Sequence, residues 1–180
     1  MGKSPSHNTI KNYLDYVEDA FIFQSAKRWN VKGRKYFDTI QKSYAMDWGL
    51  RNARLNFRQQ ERSHLMENMI YNDLIRRGYS VDVGIVELTR VIEGKRKMSQ
   101  YEIDFVVNVG NDKVYIQSAL NVDTPEKKAQ ETFSLRNTGD FFRKIVVLDG
   151  SGKLWADDDG VMYVGVIPFL LDDIVSQVIM

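Results

Sequence analysis

The period of the apolar positions changes several times along the chain, and each change marks an element. Ile10, Tyr13, Leu14, Val17, Ala20 and Phe21 recur at helical spacing, with Ser6 or Asn8 as a cap, and predict an amphipathic helix over about 8–20. FIFQSAKRW then alternates apolar and polar residues, and Lys32-Gly33-Arg34 offers a turn. A returning strand over about 35–46 ends at Asp47-Trp48-Gly49, so a hairpin is expected. The spacing of Leu65, Met66, Met69, Ile70 and Leu74, with Gly78 behind them, predicts a helix over 61–77. Three strands follow: VDVGIVEL, EIDFVVNV and KVYIQSAL, separated by turns at Glu93-Gly94-Lys95 and Gly110-Asn111-Asp112. Thr124 as cap and Pro125 at the first helical position start a helix that ends near Asn137. The run from Lys144 to Asp149 reads as a buried strand under covering helices. After the acidic turn Asp157-Asp158-Asp159-Gly160, VMYVGVI gives another strand and a last helix starts near Pro168.

This succession, helix, three strands, helix, strand, predicts an α/β (α+β) fold: a mixed sheet flanked by helices, of the restriction-endonuclease-like kind, over residues 61–180. The helix and basic hairpin before it correspond to the back half of a winged helix, so residues 1–60 are expected to form a partial winged-helix segment. A length of 180 residues with 43% hydrophobic content suffices for one domain or two small ones. No apolar run of about 18 residues is present, which excludes a membrane-spanning helix. The N-terminal MGKSPSHNT lacks the apolar core of a signal peptide, and the absence of cysteine fits a reducing cytoplasm, the expected location.

Charge narrows the functional reading further. Residues 1–64 hold 12 Lys/Arg against 6 Asp/Glu, whereas residues 65–180 hold 13 against 18, although the whole chain carries only +1. Lys27, Arg28, Lys32, Arg34 and Lys35 concentrate in the first hairpin and are candidate phosphate contacts, interleaved with Trp29, Tyr36 and Phe37. The same residues also suit an ordinary solvated hairpin. The triple aspartate lacks the alternating oxygen ligands of a calcium loop and is read as a surface turn.

The hairpin EIDFVVNV–KVYIQSAL carries the most specific chemistry. In the PD-(D/E)xK nuclease superfamily, which it resembles, the first strand bears an Asp and the second Glu-x-Lys. Carried over, Asp104 matches the metal-binding Asp and Glu67 the acid on the preceding helix. Glu102 is either an accessory acid or exposed. Gln117 stands where a carboxylate belongs, and Ala119 where the lysine belongs. Lys113 shares the face of Gln117 but lies roughly 13 Å along the strand, too far to substitute, and Lys127 or Lys128 on the next helix are the other candidate replacements. Across nearly its whole length the chain resembles the C-terminal region, a domain of unknown function, of predicted bacterial and archaeal AAA-type ATPases. TIKNYLDYVEDAFIF, KSYAMDWGLRNA, HLMENMIYNDLIRRGYSVDVG, YEIDFVV and KVYIQSAL carry that resemblance.

The resemblance implies an ATPase module in the same or a partner chain. GxxxxGK[ST] is absent here, so ATP would bind that other module. The expectation is a non-catalytic accessory module that binds DNA or a protein partner, without a cofactor of its own. One alternative is an active nuclease holding Mg²⁺ or Mn²⁺ between Glu67 and Asp104. The other is an interaction or homo-oligomerisation domain with no nucleic-acid role.

Overall fold

A computed structural model describes residues 6–38, 41–58, 61–92 and 94–179. Glu93, expected in a turn, and the expected boundary at residue 60 lie outside the described residues. In chain order the elements are α1 (His7–Asp19), β1 (Phe23–Ala26), β2 (Arg28–Asn30), β3 (Lys35–Tyr36), β4 (Lys42–Ala45), α2 (Trp48–Arg54) and α3 (Arg62–Arg76). They continue with β5 (Ser80–Ile92), β6 (Lys95–Val109), β7 (Asp112–Ala119), α4 (Pro125–Arg136), β8 (Arg143–Leu148), β9 (Trp155–Ala156), β10 (Met162–Gly165), α5 (Val166–Leu171) and α6 (Ile174–Ile179).

Eight strands form one mixed sheet in the order β3-β2-β5-β6-β7-β8-β10-β9, with β2/β5, β7/β8 and β8/β10 parallel and the other pairs antiparallel. Helices cover both faces. Met66, Ile70, Tyr71 and Leu74 of α3 pack with Phe105, Ile116, Ile145 and Phe169 on one face. Leu135 of α4 packs with Ile103, Val106, Tyr115 and Val146 on the other. The two layers arise because β6, β7 and β8 are apolar on both sides, the pattern of a doubly covered sheet. Thr124 caps α4 as expected, its side chain accepting from Lys127 N at 3.2 Å.

The expected single hairpin over 21–46 is instead two nested pairs. β1 and β4 form a separate two-stranded sheet, whereas β2 and β3 join the edge of the main sheet through β5. Alternation alone does not distinguish these outcomes, since both keep the same turn at Gly33. Asp47-Trp48-Gly49, expected to end a strand, begins α2: the Asp47 carboxylate accepts from Leu50 N at 2.9 Å.

Between Asp82/Val106 and Gly84/Ile103 the register of β5 and β6 slips, so that Asp104 and Phe105 together oppose Val83. This β-bulge changes which side chains face α3. Gly84 fits against it because a Cβ there would lie 2.9 Å from Val106 and 3.0 Å from Ile103. A tighter approach occurs at Gly165, where a Cβ would sit 2.5 Å from Gly150 O and Gly152 N. Backbone atoms cannot rotate away, so Gly165→Ala is expected to cost about 2 kcal/mol or more in urea denaturation. An unchanged midpoint would show that the 150–152 loop gives way.

Candidate functional site

The β6 bulge brings Glu102 and Asp104 onto the face covered by α3, where Glu67 projects from that helix. The group at their centre is Lys42 of β4. Its Nζ lies 2.7 Å from Glu67 Oε1, 2.7 Å from Glu102 Oε1 and 3.9 Å from Asp104 Oδ1. Arg28 holds the other Glu102 oxygen at 3.0 Å, and Tyr44 donates its hydroxyl to Glu67 at 2.8 Å. Asp104 also accepts from the Ser118 backbone N–H at 2.8 Å. Three carboxylates thus face two cations.

Burial is the largest influence on Lys42 and by itself disfavours the ammonium. The Glu67 and Asp104 charges, with hydrogen bonds to Glu102 and Glu67, outweigh it and raise its pKa, so the group stays charged. Asp104 responds in the opposite sense. Burial first, and then the nearby Glu67 charge, push its carboxyl up to about 7 against the pull of Lys42 and Ser118 N. Near neutrality Asp104 is therefore about half protonated, and with it protonated the cluster of Glu67, Glu102, Lys42 and Arg28 is electrically balanced. Tyr44 is pushed above its ordinary range by burial and then by Glu67, so it remains a hydrogen-bond donor.

Tyr44 is fixed from below by stacking on Tyr71, ring centroids 3.9 Å apart, a contact worth about 1 kcal/mol beyond its buried area. The cluster borders a cavity of about 710 Å³ between β4, α2 and α3, lined by Lys42, Tyr44, Trp48, Leu50, Leu55 and Glu67 among others.

Of the residues singled out in the sequence, Glu67 and Asp104 come together as expected. Glu102, read from the sequence as either an accessory acid or exposed, is paired to Lys42 and Arg28. Gln117 and Ala119 do not join them. Ala119 packs in the opposite core with Tyr115, and Gln117 shares that side by alternation, its Oε1 buried without a partner among the described residues. The β7 group that reaches Asp104 is the Ser118 backbone. Lys113 donates to Asn108 and lies over Trp29, and Lys128 pairs with Asp157 at 3.0 Å. The basic residue at the centre of the cluster is Lys42, missed because β4 is remote in sequence from the hairpin. Its only signal was the pair Lys42 and Tyr44 at strand spacing.

Among the phosphate candidates, Arg28 is turned inward to Glu102 and Lys27 lies over the Tyr36 ring at 5.7 Å. Lys32, Arg34 and Lys35 are exposed at the β2–β3 turn. The buried Asn30 holds that turn, accepting from Gly33 N at 2.7 Å and donating to Glu87 at 2.7 Å.

A divalent ion on this cluster would use the Glu67 and Asp104 oxygens. The donor set does not fit it: an ammonium already stands within hydrogen-bond distance of Glu67 and Glu102, and Asp104 holds its proton up to about pH 7. Among the described residues no group of three or more His, Cys, Asp or Glu side chains is arranged to hold a metal. No helix among them is long and apolar enough to cross a membrane.

Residues 1–61 match a family described as a domain of unknown function, DUF8612. The matched segment contributes Arg28, Lys42 and Tyr44 to the cluster, whereas Glu67, Glu102 and Asp104 lie outside it. Over 168 residues, 92% of this chain, the sequence is 33% identical to an uncharacterized protein of Haemophilus influenzae (strain Rd). The alignment covers 38% of that relative, so the chain spans well under half its length. No solved structure matches the chain.

Proposed function

We propose that this chain is a non-catalytic accessory module of a longer AAA-type ATP-binding protein, built on a nuclease-like sheet, and that it binds DNA through the β2–β3 turn. The observation that carries the reading is Lys42 Nζ at 2.7 Å from both Glu67 and Glu102, occupying the place a catalytic cation would need. The carboxylates are neutralised by the protein itself. Lys32, Arg34 and Lys35, the part of the basic segment left at the surface, supply the phosphate-facing charge. The ATP site belongs to the parent protein's other module.

The experiment is incubation of labelled single-stranded, duplex and branched DNA with Mg²⁺ or Mn²⁺, with Asp104→Ala run beside the natural protein. Binding without cleavage is expected, with affinity falling steeply as salt rises. Cleavage that disappears in Asp104→Ala overturns the proposal. It would favour a second reading supported by the same lysine: a nuclease in which Lys42 supplies the basic group missing at Ala119, released from the acids when metal enters. Salt-insensitive self-association without DNA binding would instead favour an interaction module.

A further inference from the structure

Phe141 is fully solvent-exposed, at 104% of its reference area, and the chain on either side of it is pinned. Lys144 Nζ donates to the carbonyls of Asp140 and Phe142, each at 3.1 Å. The Asp140 carboxylate accepts from the Tyr115 hydroxyl at 2.6 Å. Phe142 turns inward onto the second core, edge-on to Tyr115. Thr138 and Asn137 close the preceding turn onto α4, donating to the carbonyls of Leu135 and Phe133. The ring of Phe141 is therefore displayed by a fixed loop, and folding alone gives no reason for an aromatic there.

The β2–β3 turn reaches the same place. A Cβ on Gly139 would lie 4.0 Å from the Lys32 side chain, and the Arg34 charge acts on the Tyr115 hydroxyl that anchors Asp140. Lys32, Arg34 and Lys35, with Arg143 beside Phe141, form no ion pair among the described residues. Asp140, the carboxylate of this loop, is occupied by Tyr115 and lies 3.9 Å from Lys144, and Glu87 faces Lys35. Two segments about a hundred residues apart thus bring cations without an ion pair up to the loop that displays Phe141.

We infer that Phe141 and the Lys32/Arg34 turn form a binding surface for single-stranded nucleic acid, with an unpaired base stacked on Phe141 and the flanking phosphates on the turn. A duplex hides its base faces, so the ring adds nothing to duplex binding, whereas a single strand offers a π-face at every nucleotide. This deepens the DNA-binding reading above and rests on it.

The test is fluorescence polarisation with a labelled fifteen-residue oligothymidylate and a hairpin duplex of equal phosphate number, at two salt concentrations. Phe141→Ala is expected to weaken the single strand about tenfold while leaving the duplex unchanged, and Phe141→Trp to restore it. Lys32→Glu with Arg34→Glu is expected to abolish both. Equal single-strand affinity for the natural protein and Phe141→Ala overturns the stacking surface, even where the charge-reversed protein loses binding and the broader reading stands. If charge reversal changes neither probe, the broader reading fails as well. A Phe141→Ala protein that loses self-association in light scattering and keeps its oligonucleotide affinity assigns the ring to protein contact and overturns the inference. Because Phe141 is fully exposed, its removal is not expected to lower the unfolding midpoint.

Discussion

Replacing Lys42 by Ala should lower stability by about 3 kcal/mol at pH 8 and by distinctly less near pH 5.5. Removing one member of a buried ion pair typically costs about 3–5 kcal/mol, because the partner is left as an uncompensated charge. Here Lys42 retains 26% side-chain exposure, which moves the expectation to the low end. Three carboxylates lose their common cation, and only Glu102 keeps another, Arg28. The relief available to the variant is protonation, and Asp104, the most buried acid and already raised to about 7, takes it first. Lower pH supplies that proton, hence the smaller loss. Lys42→Met isolates the charge from the packing of the stem and should behave like Lys42→Ala. The variant should also gain what the natural protein lacks, a rise in unfolding midpoint on adding Mg²⁺ or Mn²⁺, since ions that bind only the folded state stabilise it. A loss below about 1 kcal/mol, the range of exposed pairs, would mean the cluster behaves as a surface network and would remove the main support for a closed site.

The parts of this cluster differ in how far the sequence revealed them. Glu67 and Asp104 were readable because a helix followed by three strands fixes which elements meet, and the acids sit at known places on those elements. Alternation also predicted β7 and β8 to within a residue, since doubly buried strands announce themselves as long apolar runs, whereas the exposed halves of β5 and β6, which run on to Ile92 and start back at Lys95, lie beyond the predicted runs. The rest depended on information that local pattern does not contain. Whether residues 23–45 make one hairpin or two is decided by the pairing of β2 with β5, 55 residues away. The face toward which Gln117 points relative to Asp104 is decided by one extra residue in β6, which flips the alternation locally. Lys42 enters the site only through both events together. A separation of 16 to 22 residues between the paired positions of β1 and β4 hides their pairing, and no carboxylate near Lys42 in sequence hints at its partners. Short α2 was concealed by Trp48-Gly49, which resembles a strand end until the Asp47 cap is seen.

Asp104 should give the folded protein an unusual pH dependence, with stability falling as pH rises from about 4 to 7 and levelling above. Its folded-state pKa of about 7 exceeds the value of 3.8 for the free side chain. Below 3.8 both states carry the proton and the group contributes nothing. Between the two values the folded state binds more protons than the unfolded one, so the slope of unfolding free energy with pH is negative. Above 7 both states are ionised and the cost of the buried charge is constant. At about 1.4 kcal/mol for each tenfold change in proton affinity, the full difference approaches about 4 kcal/mol. Burial is the largest cause of the upward shift, and among the groups facing Asp104, Glu67 from α3 and Glu102 on its own strand add to it, while Lys42 from β4 and the Ser118 amide oppose it. Asp104→Asn keeps an oxygen for Ser118 N–H and removes the titration. Urea denaturation from pH 4.5 to 8.5 should therefore show the natural protein losing stability and the variant remaining nearly flat over the same range, so that the variant is the more stable protein above pH 7. Parallel curves would mean that Lys42 dominates over burial and holds Asp104 ionised throughout. In that event the cluster is a permanent anion, and a metal competing with Lys42 becomes the better account of its chemistry.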